Sequence, residues 1–206
     1  MKCLKNRVEN YKVKKQVPQL SDFKPSSNKN VCFIVPHTEK APGAFSHTLM
    51  KSEYQYMGEF IENKLKPACE LKGLSVQVLR RDGRGIAKTY AEALKYKPFA
   101  ILEIHFNAGG GHGFEVLYRP DLESERVLVN EVLDCMSRVL GTRNRGEKKK
   151  VSSGERGFVN VAQTSSVPSI LLEPFFGDSS ADSKNFHDKR TLFANELAAV
   201  LLKSFK

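Results

Sequence analysis

The chain of 206 residues contains no tryptophan, and no nucleic-acid-binding motif accompanies its lysines. A site built on base stacking is therefore not expected, and nucleic acid is excluded as a partner. No apolar stretch approaches the length of a membrane span. The N-terminus starts basic but never enters the apolar core of a secretory signal, so synthesis in the cytoplasm without a signal peptide is expected. The four cysteines, Cys3, Cys32, Cys69 and Cys135, form no C-x-x-C pair and lie far apart, which argues against a disulfide framework. Cys32 falls in an apolar run and Cys69 and Cys135 in helical patterns, the setting of buried free thiols. No internal repeat is present, and the H-E-x-x-H spacing of many zinc hydrolases is missing.

What is present is a chain of one-domain size with 40% hydrophobic residues, 13 of them Phe, enough for one substantial core. The formal net charge is +10 and is unevenly placed. Residues 1–29 hold eight Lys/Arg against Glu9 and Asp22, and read as a basic N-terminal extension ending in Pro-Ser-Ser-Asn-Lys. Such a field favours an anionic partner, an acidic lipid or a phosphate-bearing cell envelope, met through the basic surface.

Residues 30–206 read as one domain. Short apolar runs at Val31–Val35, Val76–Leu79, Phe99–His105, Phe114–Tyr118 and Ser169–Leu172 are expected strands. Helical spacing runs from about Leu49 to Leu71, with Pro67 interrupting it and Gly73 beyond its end, then over Ile86–Leu94, Glu123–Leu140 and Asp182–Phe205. Arg143–Gly157 reads as a basic, Gly/Ser-rich loop. Strands alternating with helices imply an α/β fold: a single domain whose mostly parallel, twisted sheet is covered by helices on both faces.

Sites in such sheets form outside the carboxyl ends of the strands. Three expected strands end on ionisable residues: Val31–Val35 before His37, Phe99–Ile104 at His105, and Ser169–Leu172 at Glu173. Two imidazoles and a carboxylate brought to one edge make a candidate metal site, and zinc commonly takes two His and one Glu with a fourth position left for water. Glu53, near the start of the first long helix, is a further candidate at the same edge. Asn107 shares the strand face of His105 by two-residue alternation and is placed either to orient a ligand or substrate or to cap a loop. His47, His112 and His187 read as surface or loop histidines, Lys148-Lys149-Lys150 as a solvated loop, and Asp178 and Asp182 as caps of the last helix.

Several segments together resemble the zinc-dependent N-acetylmuramoyl-L-alanine amidases, the family of many phage endolysins and bacterial autolysins. They are Ile34-Val35-Pro36-His37 with Pro42-Gly43-Ala44; Glu53 at the head of a long helix; Val76–Asp82; Phe99–Ala108 followed by Gly113-Phe114-Glu115-Val116; and Val167-Pro168-Ser169-Ile170-Leu171-Leu172-Glu173. The order holds over residues 31–206. The resemblance implies that His37, Glu53 and His105 hold Zn²⁺ and that Glu173 is the catalytic carboxylate. It also implies that the substrate is the amide between N-acetylmuramic acid and L-alanine in peptidoglycan. Two positions depart from the pattern: Pro36 stands where the family has Gly before the first His, and Met57 where a polar residue often follows the metal Glu. Glu39 and Glu59 are acidic neighbours of Glu53 in the sequence. A monomeric endolysin acting on the wall after release is the expectation. The rivals are a zinc exopeptidase and a non-catalytic basic module that binds an anionic polymer.

Overall fold

The computed structural model describes residues 29–205, so the basic extension up to residue 28, with Cys3, lies outside the described residues. The chain forms strands β1 (Asn30–Ile34), β2 (Phe45–Ser46) and β3 (Lys51–Ser52), then helix α1 (Glu53–Phe60), a π-helical segment (Ile61–Leu65) and α2 (Lys66–Leu71). These are followed by β4 (Ser75–Leu79), α3 (Gly85–Lys95), β5 (Ala100–Ile104), β6 (Phe114–Tyr118), α4 (Glu123–Leu140), β7 (Asn144–Lys149), α5 (Phe158–Val161), β8 (Ser169–Glu173) and α6 (Ser180–Phe205). Six strands make the main sheet in the order β4-β1-β5-β8-β6-β7, and β2 and β3 form a separate two-stranded ribbon. The pairs β4–β1, β1–β5, β5–β8 and β6–β7 are parallel, and β8–β6 is antiparallel. The expected single α/β domain with a mostly parallel sheet is therefore the fold.

Alternation along the strands explains why helices cover both faces. Val31 and Phe33 of β1 pack into the larger core with residues of α1, α2, α4 and α6, whereas Cys32 and Ile34 face the smaller core under Tyr90 and Ala93 of α3. Under α5, Val161 packs with Leu117 and Leu171. Phe60, Phe175, Phe186 and Phe193 tile the larger core, the rings of Phe175 and Phe186 stacking at 4.5 Å. Cys32, Cys69 and Cys135 are buried and free, as read from the sequence. Among the described residues no helix is long and apolar enough to cross a membrane.

Pro67 does interrupt the first long helix, through a change of hydrogen-bond register. The Lys66 N–H donates to the Ile61 carbonyl, five residues back, immediately before a residue that has no N–H to give. Two expectations need correction. Arg143–Gly157 is not all loop: Asn144–Lys149 is the edge strand β7, and its charged, half-exposed side chains are what an edge requires and what hides it from a hydrophobicity pattern. Asp178 and Asp182 do not act as the caps of α6. The Ser179 hydroxyl accepts the Asp182 N–H, while the two aspartates reach across to the glycine run between β5 and β6. Asp178 Oδ2 accepts the N–H groups of Gly109 and Gly110, each at 2.7 Å, and Asp182 Oδ2 accepts those of Gly113 at 2.7 Å and Phe176 at 3.2 Å. A loop that composition suggests is loose is thus pinned beside the sheet's carboxyl edge.

Candidate metal centre and cleft

β1, β5 and β8 run parallel and end at the same edge. His37 follows β1 by three residues, His105 directly follows β5, and Glu173 is the last residue of β8. The register pairs Ile104 with Leu172, and the His105 N–H donates to the Leu172 carbonyl, so His105 and Glu173 emerge side by side. The loop after His37 then returns through the β2–β3 ribbon to α1, whose first residue is Glu53. Ser52 caps that helix in a reciprocal box with Gln55. Glu53 consequently sits at a helix N-terminus, where the partial positive charge of the free N–H groups favours a carboxylate.

Glu53 forks between the two histidines. Its Oε2 lies 3.0 Å from His37 Nε2 and its Oε1 2.6 Å from His105 Nδ1. The three donor atoms fall within 4.8 Å of one another. Glu39 and Glu59 stay outside: the backbone of Glu39 is tied to Asp82, and Glu59 pairs with Lys51. His37 adopts a φ of +61°, a conformation histidine tolerates better than most residues, and this turns its ring back towards Glu53. Gly43 closes over the pair. A Cβ there would lie 2.5 Å from the His37 ring and 2.8 Å from the Glu53 carboxylate, so the space admits only glycine.

Behind His105 stands a network absent from the sequence reading. The His105 Nε2 lies 3.0 Å from Oε1 of Glu103, a carboxylate with no exposed surface inside an otherwise apolar strand. Arg81 Nη1 (3.1 Å), the Tyr90 hydroxyl (3.0 Å) and Asn160 Nδ2 (2.9 Å) complete the shell of Glu103. Arg81 also donates through Nε to the His37 carbonyl at 3.2 Å, linking the two histidine segments. The legible signal was a Glu two residues before His105, and therefore on its face of β5, in a strand with no other reason to carry charge.

Electrostatics follow from this packing. Burial opposes the charge of Glu53, but hydrogen bonds and charge from His105 and His37 outweigh it and hold the carboxyl down at about 2. Burial likewise opposes a charged His105, and is overcome by Glu103 and Glu53, which raise it to about 10. Glu173 goes the other way. Burial first, with the charges of Glu115 and Glu53, outweighs the pull of His105 and Arg156 and pushes it up to about 7.

The donor set fits zinc. Two imidazole nitrogens and one carboxylate oxygen are the ligands of many catalytic zinc sites, and ligand atoms placed tetrahedrally about 2 Å from the ion would stand roughly 3.3 Å apart. The 2.6 Å spacing to one oxygen of Glu53 and the 3.0 Å spacing to the other would open by roughly 0.7 and 0.3 Å, within a donor set whose atoms already lie within 4.8 Å of one another. Two of the donors also have outer partners, Glu103 on His105 and the Phe106 N–H on Glu53 at 3.2 Å, while Arg81 holds the backbone carbonyl of His37.

Asn107 does not join the cluster. Its Nδ2 donates to Glu115 Oε1 at 2.9 Å and its Oδ1 accepts the Ala108 N–H. Together with Glu115, Glu173, Phe176 and the cations Arg145, Lys150 and Arg156 it lines a cavity of about 390 Å³.

A cluster of three nitrogen and oxygen donors at the carboxyl edge of a largely parallel sheet, with a carboxylate beside it, is the arrangement of a metal-dependent hydrolase. The sequence profile of the N-acetylmuramoyl-L-alanine amidases matches residues 31–203. The chain belongs to that family, which is one of zinc amidases. Among solved structures it is similar to Cwp6 from Clostridium difficile, with a TM-score of 0.76 and 20% identity over 87% of this chain. It spans only 30% of that protein. An N-acetylmuramoyl-L-alanine amidase from Clostridium difficile 630 matches with a TM-score of 0.68 and 19% identity, over 87% of this chain and 95% of the other. The catalytic domain of the CD27L endolysin, which targets Clostridia difficile, matches with a TM-score of 0.58 and 22% identity, over 85% and 96%. Comparison with curated proteins gives no match.

Proposed function

We propose that the chain hydrolyses the amide joining N-acetylmuramic acid to L-alanine in peptidoglycan, with His37, Glu53 and His105 holding zinc and Glu173 moving the proton. The observation that carries this reading is the convergence of the three donors within 4.8 Å, on the edge where β8 delivers Glu173. Bound zinc would supply a Lewis acid and bring a water's pKa towards neutrality. The chain's own residues do the rest. Glu173 accepts the proton of the attacking water and delivers it to the departing amine, and a carboxyl raised to about 7 is matched to both directions of transfer near neutral pH. The pinned glycine run and Phe176 wall one side of the cleft.

The finer reading is an endolysin that acts on the wall after release. It is supported by the likeness to the CD27L catalytic domain and by a charge of +10, which favours an anionic envelope. The test is product analysis on purified wall: amidase action frees the amino group of L-alanine and leaves the glycan strands intact. Release of free amino acids or internal stem fragments would favour the exopeptidase instead. Salt-sensitive binding without cleavage would favour the non-catalytic module.

Glu103 gives a prediction of its own. Partners that orient a metal-ligating histidine typically contribute 10–100-fold to metal affinity. Glu103→Gln keeps the volume but removes the charge facing His105 and Arg81, so zinc affinity should fall by roughly 10–100-fold. Competition against a chromophoric chelator measures it, and unchanged affinity would show that Glu103 serves the fold alone.

A further inference from the structure

The charged groups around the 390 Å³ cavity are not all accounted for by one another. Arg145 is satisfied: its Nε donates to Glu115 Oε2 at 2.7 Å, and its guanidinium lies 4.9 Å from the centroid of the Phe176 ring. Lys150 and Arg156 also line the cavity, yet among the described residues neither makes a side-chain hydrogen bond or a salt bridge. The acid between them in sequence, Glu155, uses one oxygen to accept the N–H groups of Val151 and Ser152 at 2.7 and 2.8 Å.

The backbone that carries both cations is nevertheless fixed. The Lys150 N–H donates to the Tyr118 carbonyl at 2.8 Å, continuing the β6–β7 ladder. Gly157, at a φ of +83°, lies so close to Leu117 that a Cβ would stand 2.5 Å from its side chain. The segment between is therefore anchored at both ends over the Leu117 wall of the cavity. Along β6, Glu115 is the register partner of Glu173, and Leu117 comes two residues later. Two residues of extended strand span about 7 Å, which is also the reach of two residues of an extended peptide. A peptide whose scissile amide lies at Glu173 and which runs along β6 would bring its second residue to the two cations.

We propose that Lys150 and Arg156 form a carboxylate-binding subsite that selects stem peptides bearing a free carboxylate on the second residue over those in which that group is amidated. The inference rests on the amidase reading. A carboxylate there would meet two cations that feel Glu173 and Glu155 only through space and hydrogen-bond to neither, and it would form charge-assisted hydrogen bonds with them beside the apolar wall of Leu117. The carboxamide, being uncharged, would gain far less. The carboxylate is remote from the bond being broken, so the preference between acid and amide belongs to KM more than to kcat, whereas the charge of Arg156 on Glu173 acts on both substrates alike.

The experiment uses two soluble muropeptides identical except for a carboxylate or a carboxamide on the second stem residue. The full chain should hydrolyse the acid with kcat/KM about tenfold higher, the size expected of hydrogen bonds to a charged group. In the K150M/R156M double variant the ratio should fall towards one. The ratio cancels any general effect of these changes on Glu173. A control variant, K72M/K88M, removes the same charge from exposed positions that do not line the cavity, and should keep the preference. The subsite is overturned by a ratio near one in the unmodified chain, by a preference that survives K150M/R156M, or by equal loss in the control. Failure to cleave either muropeptide would instead sink the amidase reading, and this inference with it.

Discussion

Replacing Glu173 by Gln is expected to lower turnover by roughly 10²–10⁴-fold, the usual contribution of a positioned acid–base group, while zinc content stays the same. The substitution keeps the side chain's size and one acceptor oxygen but removes the ability to take a proton. Glu173 stands beside His105 at the strand edge yet outside the group of three donors, so loss of the carboxylate leaves the ligand set whole. Metal analysis alongside steady-state rates on a soluble muropeptide separates the two roles. A variant that loses zinc and recovers its rate when metal is added would make Glu173 a ligand instead.

Removing the metal should abolish hydrolysis altogether. Three protein donors define a site for about one zinc per chain, leaving one position open for chemistry. A strong chelator should therefore bring wall digestion to background, and stoichiometric zinc should restore it. Elemental analysis of the purified chain gives the ratio directly. Protein stripped of metal that digests wall at the full rate would overturn the assignment of His37, Glu53 and His105 together.

Much of this architecture can be read from residue order, and the exceptions have physical reasons. Val31–Val35, Phe99–His105 and Phe114–Tyr118 are legible because strands buried on both faces must be largely apolar, and here only Glu103, Glu115 and the terminal His105 break the runs. The helix Glu123–Leu140 announces its end with Gly141, which closes it at a φ of +65°. β7 stays hidden because an exposed edge needs no apolar pattern, and the two-residue strands β2 and β3 are too short to show a period. At the site, the strand-end histidines are visible from position alone. Glu53 is legible only as a candidate at the helix start, and the family resemblance singles it out as a ligand, because its approach depends on the path of the loop that passes Gly43. The partners of Glu103 come from α3, from the turn after β4 and from α5, and no spacing rule relates Arg81, Tyr90 and Asn160 before the chain folds.

That dispersal has a thermodynamic consequence. The donors belong to three segments separated by 16 and 52 residues, and only the completed sheet and the capped start of α1 bring them together. The unfolded chain presents no such assembled set, so zinc held by the three donors would favour the native state and shift the folding equilibrium towards it. At a free concentration one hundred times the dissociation constant, this mass-action effect amounts to about 2.7 kcal/mol, a sizeable part of the 5–15 kcal/mol that holds an ordinary domain folded. Metal supply would then set the lifetime of the folded enzyme as well as its competence, and a chain starved of zinc would be the form most open to unfolding and proteolysis.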